Sequence, residues 1–214
     1  MFIGHFGLGF AAKRAAPHVS LAVLFLAAQF ADALWPFLVA AGVEQVRIDP
    51  GNSAVTPLDF VSYPWSHSLL TLCVWGALLG LIFRSSDRRA FVVIAALVVS
   101  HWVLDFVTHI PDMPLYPGGP EVGLGLWRSM PLTAAVELPL YLAGVWIYAR
   151  ATRARGAKGR WGFASLWIGL LLLHIVNLTA PPPPSITAIW AGGIAGFVVI
   201  MVWSWWADRH RTAI

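Results

Sequence analysis

Apolar residues run with few interruptions through six stretches of the chain: Val19–Ala41, His67–Phe83, Ala90–Val107, Pro131–Ala149, Gly162–Thr179 and Ile186–Trp206. Each comes close to the roughly 20 residues that a helix needs to cross about 30 Å of hydrocarbon. The pattern predicts an all-α fold, a polytopic membrane helix bundle of about six transmembrane helices forming a single integral membrane domain over residues 1–214. The opening apolar segment, Met1–Ala12, has no preceding basic region and no cleavage pattern. It is expected to be an interfacial or re-entrant element rather than a signal peptide. Pro181–Pro184 reads as a rigid turn between the last two spans.

Composition agrees with this pattern. Charged residues make up 11% of the 214 positions and hydrophobic residues 58%, whereas soluble domains carry about 25% charge. The cations also separate by side. With six spans, Lys13, Arg14, Arg84, Arg88, Arg89, Arg150, Arg153, Arg155, Lys158, Arg160, Arg209 and Arg211 fall on one side, and only Arg47 and Arg128 on the other. The positive-inside rule makes the first side cytoplasmic. The expected location is therefore an integral cell membrane, as in a bacterial inner membrane, with both termini cytoplasmic. The net charge of +4 is accounted for by these helix-end cations facing membrane lipids, so no nucleic-acid partner is expected. There is no Walker loop and no dinucleotide fingerprint. The single cysteine, Cys73, lies inside an apolar run and is expected to pack there.

The polar exceptions within the apolar runs carry the chemistry. Asp32, His101, Asp105 and Glu137 fall inside predicted spans, while His67 and His109 sit at outer ends. Carboxylates at that depth face a protein interior, a cavity or a partner. Alternating the spans brings all of these groups to about the same depth. His101, Asp105 and His109 repeat every four residues and form one helical stripe. An unbroken helix would separate the two histidines by about 12 Å. One ion collects all three only if the helix ends early, and Pro111 favours such an ending. Otherwise two ions about 3.5–4 Å apart share Asp105. Imidazole and carboxylate ligands suit zinc, and also manganese or iron. A hydrogen-bonded packing pair explains His101 and Asp105 equally well when those two are taken alone.

The arrangement Gly4-His5, Asp32, Ser66-His67-Ser68 and His101-x-x-x-Asp105-x-x-x-His109 resembles the membrane-bound metal-dependent hydrolases of the YdjM type, over roughly residues 1–140. The resemblance implies that these residues converge on metal, with Ser66 standing where the family has threonine. A more distant resemblance is to zinc-dependent phospholipase C and single-strand nucleases. It implies metal-binding roles for His5, Asp32, His67, His101, Asp105, His109 and Glu137, and it implies phosphoester hydrolysis. Thr133 occupies the position where that pattern expects a further histidine.

The expected activity is therefore that of a metal-dependent membrane hydrolase using one or two divalent ions, zinc above all, on a phospholipid or other phosphoester. Asp32, Asp105 and Glu137 are candidate ligands or general bases, Asp112 is a further proton acceptor, and Arg128 a substrate-binding cation. A metal-ion or proton transporter and a scaffold with a structural metal are the alternatives. Polar groups extending to both faces would mark the transporter.

Overall fold

The computed structural model describes residues 1–83 and 88–214. Arg84 and residues 85–87 lie outside the described residues. In chain order come α1 (Ile3–Ala12), α2 (Leu21–Ala28), α3 (Phe30–Ala40), β1 (Gln45–Ile48), β2 (Leu58–Ser62), α4 (Pro64–His67), α5 (Leu69–Phe83), α6 (Arg88–Thr108), β3 (Met113–Pro114), β4 (Glu121–Val122), α7 (Met130–Ala151), β5 (Thr152–Ala154), α8 (Gly156–Thr179), α9 (Ile186–Arg209) and β6 (Arg211–Ala213). The strands form three two-stranded antiparallel ribbons, β1 with β2, β3 with β4 and β5 with β6. Helices dominate the architecture, as the sequence predicts.

Among the described residues, four helices, α6, α7, α8 and α9, are long and apolar enough to cross a membrane. Serine side chains start two of them, Ser129 accepting from the Leu132 amide and Ser185 from that of Ala188. Exposed side chains such as Val92 and Val103 on α6, Leu172 and Val176 on α8, and Val198 and Val202 on α9 form an apolar exterior. Such a surface fits lipid rather than water.

The other two predicted spans are interrupted. Val19–Ala41 is broken at Gln29, whose ψ of 18° departs from helical geometry, and α2 and α3 meet there at a bend of 63°. Taken together, the bent pair makes a fifth possible crossing. Ser68, at ψ 148°, separates α4 from α5. The 15 residues of α5 rise only about 22 Å, short of the hydrocarbon thickness. Cys73 is exposed on α5 rather than packed.

The segment α1 lies inside the bundle. Ile3, Gly4, His5, Phe6, Gly7, Gly9 and Phe10 are all buried. Small residues permit this seat, because α1 and α7 cross at Gly7 and Gly144. A Cβ on Gly7 would stand 2.8 Å from the Leu140 carbonyl oxygen, and one on Gly144 would run into the Gly7 carbonyl. Phe6 and Phe10 pack edge-on against Phe25, and Phe10 also against Tyr148. The far end of α1 is tied by a buried ion pair, Lys13 Nζ to Asp208 Oδ2 at 2.7 Å. Asp208 also accepts from the Leu21 amide and the Tyr148 hydroxyl. Each charge there has hydrogen-bonding partners, as burial requires. Met1 lies at the other end of α1 beside Asp105, and not on the Lys13 side.

Candidate metal centre

The site forms where the start of α1, the α2–α3 bend, α4 and the end of α6 meet. It is built on tautomers. At the end of α2, the Ala28 carbonyl turns out of the bend and accepts from His101 Nδ1 at 2.9 Å. A carbonyl only accepts, so Nδ1 carries the proton, and in the neutral ring Nε2 is then the lone-pair nitrogen. His101 Nε2 is fully buried and lies 3.0 Å from Asp105 Oδ2, yet the approach is too far off line for a hydrogen bond.

His67 repeats this logic in α4. Its Nδ1 lies 2.7 Å from Ser66 Oγ, which in turn lies 2.6 Å from Glu44 Oε2. The serine proton goes to the carboxylate, so the serine oxygen accepts from Nδ1. His67 Nε2 then faces Asp32 Oδ1 at 3.5 Å. His109 is the third case. Its Nδ1 donates to Asp112 Oδ1 at 3.0 Å, and its Nε2 points toward Asp105 Oδ2 at 4.0 Å. Burial holds the His109 imidazole below its ordinary pKa, against the opposing pull of the Asp112 hydrogen bond. The Tyr63 hydroxyl also donates to Asp112, at 3.1 Å. Burial, and then the nearby Asp112 charge, raise that phenol well above its usual range and keep its proton in place.

Three imidazoles are thus fixed with Nδ1–H turned outward and Nε2 turned toward two carboxylates. Outer acceptors commonly orient metal-bound histidines in this way. Asp32 Oδ1 lies 3.5 Å from His67 Nε2 and 3.9 Å from His101 Nε2. Ligands at zinc bond lengths in a tetrahedron are about 3.3 Å apart, so a small contraction around a cation closes this group. His5 stands on the opposite side of His101. The two rings stack at 3.8 Å and 4°, and His5 Nε2 lies 3.0 Å from Asp105 Oδ1. Two sets of potential ligands result among the described residues, Asp32 with His67 and His101, and His5 with His101 and Asp105. One lone pair on His101 serves one ion. Asp105, however, turns Oδ1 to His5 and to the Met1 amine, and Oδ2 to His101 and His109.

The predicted stripe on α6 meets at one place because α6 ends at Thr108, ahead of Pro111. Asp32 is the open member: 41% of its side chain is exposed, against 3% for Asp105. Glu137 lies at the right depth but is engaged elsewhere. Its Oε2 accepts the amides of Phe2 and Ile3 at 3.0 Å and of Gly4 at 3.5 Å. It closes the amino-terminal end of α1, where orphaned N–H groups and the helix dipole favour an anion, and it belongs to neither ligand set. Thr133 donates to the Leu126 carbonyl. Arg128 is exposed beside Trp127, whose ring lies 4.0 Å from that of His109.

Sequence reasoning missed Glu44 and the Ala28 carbonyl. Glu44 is a lone acid just past the first apolar run, where a solvated side chain is the usual reading, and it is 2% exposed. Comparison of the chain with protein-family models, with curated proteins and with solved structures finds no match.

Proposed function

We propose that the protein is a metal-dependent membrane hydrolase acting on a phospholipid or other phosphoester at the membrane face nearer the ligand cluster. The observation carrying this reading is the set of three tautomer-fixed imidazoles aimed at two carboxylates, one of which, Asp32, is open to the exterior. A divalent ion held there, zinc by the chemistry of the donors, supplies Lewis acidity and lowers the pKa of a bound water. His67 and His101 with Asp32 would hold one ion, and His5 and His109, which flank Asp105, would offer donors to a second. Asp32, the exposed carboxylate of the cluster, would serve as ligand or, where it is left uncoordinated, as general base. Asp112 keeps His109 in its donor-outward tautomer, and Arg128 offers a guanidinium to a phosphate near the Trp127 side of the site.

Transport is less well supported. Among the described residues, the buried apolar side chains of Phe6 and Phe10 lie along α1 between His5 and the Lys13–Asp208 pair.

The test is turnover. Detergent-purified protein, stripped and then reloaded with zinc, manganese or iron, is expected to release a product from a mixed lipid and phosphoester panel, identified by mass spectrometry. Asp105→Asn, which removes the charge and nearly keeps the volume, is expected to lower the rate by at least about a hundredfold, as loss of a ligand exceeds the 10–100-fold cost of losing an outer partner. Vectorial metal movement in vesicles without product would replace this reading with transport.

We further propose six crossings, counting α2–α3 and α4–α5 as one each, with the Lys13 and Arg211 side cytoplasmic in a bacterial inner membrane. The uneven distribution of cations supports this orientation. In a Cys73→Ala background, Asp49→Cys is expected to react with an impermeant thiol reagent in intact cells, and Ala157→Cys only after permeabilisation. The reverse result would invert the orientation.

A further inference from the structure

We infer that Glu44 is a positioning residue of the metal centre: through Ser66 it fixes the tautomer and orientation of His67, and its charge makes His67 a stronger ligand. The inference rests on the metal reading of the cluster.

The geometry is complete at each step. Glu44, Ser66 and His67 are all buried. Glu44 Oε1 accepts the amides of Trp65 and Ser66, both at 2.8 Å, at the start of the short helix α4. Its other oxygen, Oε2, accepts the Ser66 hydroxyl at 2.6 Å. With its proton committed to an anion, Ser66 Oγ can only accept from His67 Nδ1 at 2.7 Å. The negative charge is thereby passed through one hydroxyl to the imidazole, and Nε2 is left as an electron-rich lone pair directed at Asp32. An isolated carboxylate at 2% exposure would be costly. Here one oxygen braces the backbone that carries His67 and the other sets the proton on its ring. Asp112 does the equivalent for His109 directly, and Ala28 does so for His101 with a neutral carbonyl. Glu44 is the only one of the three outer acceptors that acts through an intermediary and also holds the backbone of its ligand.

Two roles must be told apart. A purely structural Glu44 would stabilise α4 and leave ligation unchanged. Glu44→Gln keeps one carbonyl oxygen for the backbone amides but removes the charge, and Ser66→Ala leaves Glu44 on the backbone and cuts the link to His67.

The experiment uses the full chain in detergent, stripped of metal and titrated with zinc against a competing chelator. A cobalt-loaded sample gives the ligand-field spectrum, and 15N shifts of the metal-free protein report the His67 tautomer. Both variants are expected to bind zinc about 10–100-fold more weakly than wild type, with an altered cobalt spectrum and a His67 ring no longer held in the Nδ1–H form. Unchanged affinity, spectrum and tautomer in Ser66→Ala overturn the inference, even if Glu44→Gln fails to fold. Lower thermal stability with unchanged affinity overturns it as well. If the wild-type chain takes up no divalent ion, the metal reading falls first and the inference with it. Wild-type uptake with unaffected variants removes the inference alone.

Discussion

Purified protein carrying His101→Ala is expected to lose its divalent metal, whereas Glu137→Gln is expected to keep it. His101 is the one residue common to both ligand sets. Its Nε2 is the buried lone pair on which Asp32 and Asp105 close. Removing it deletes a donor and leaves two carboxylates facing a void. The affinity should fall by more than about a hundredfold, beyond the 10–100-fold range for outer partners of a ligand. Glu137 lies at a similar depth, but its oxygen is engaged by the first amides of α1. A glutamine there retains an acceptor oxygen, so α1 stays seated and the metal content is unchanged. Elemental analysis of both variants beside wild type decides the matter. Metal retained in His101→Ala would remove this histidine from the centre, and metal lost in a folded Glu137→Gln would return Glu137 to it.

Gly144→Leu is expected to destabilise the protein by about 3 kcal/mol, at the upper end of the usual cost of overpacking, and to lower metal binding with it. The new side chain would meet the backbone carbonyl of Gly7, which cannot rotate aside as a flexible side chain can. Either α1 moves away from α7 or α7 bends. In both cases His5 withdraws from Asp105, and the amides of α1 withdraw from Glu137. Gly192→Ala is the control, since a Cβ there meets nothing within 4 Å. Its unfolding midpoint should equal or exceed that of wild type, because alanine is the better helix former. Thermal unfolding in detergent, followed with and without added zinc, measures both effects. A wild-type midpoint in Gly144→Leu would show that the crossing is looser than these backbones imply.

The sequence made the centre legible where side-chain chemistry opposed its surroundings. Acids and imidazoles in an apolar run stand out, and the spacing of His101, Asp105 and His109 placed them on one helix face. Asp32 and His67 joined them through the alternation of spans. Backbone breaks were harder to read. Gln29 is neither proline nor glycine, and nothing in its neighbours announces a bend of 63°, yet that bend frees the Ala28 carbonyl for His101. Depth alone also does not distinguish the roles open to Glu137, whose Oε2 accepts the first amides of α1. An acid two turns into α7 can serve a metal or a helix end, and only the position of α1 separates the two. Glu44 was hidden for the opposite reason, because a carboxylate in a connecting loop is ordinarily solvated. Helix length alone supports four crossings, or five with the bent pair, because α5 by itself is too short to be told from sequence as part of a broken crossing.

The seat of α1 against α7 sets an order of events during synthesis. His5 leaves the ribosome before the groups that receive its helix, which are Asp105, Glu137 and the backbone around Gly144. Asp105 exists only after about half of the chain has been made, and Glu137 and Gly144 only after about two-thirds. The earliest helix must wait, unclasped, while later ones enter the bilayer, and the ligand cluster closes only when α7 arrives. A chain stalled or truncated before α7 would still hold Asp32, His67, His101 and Asp105, yet α1 would have nothing to seat against. Completion of the bundle would thus act as a checkpoint on the proposed metal centre, so that the full set of donors assembles only in a molecule whose later helices are in place.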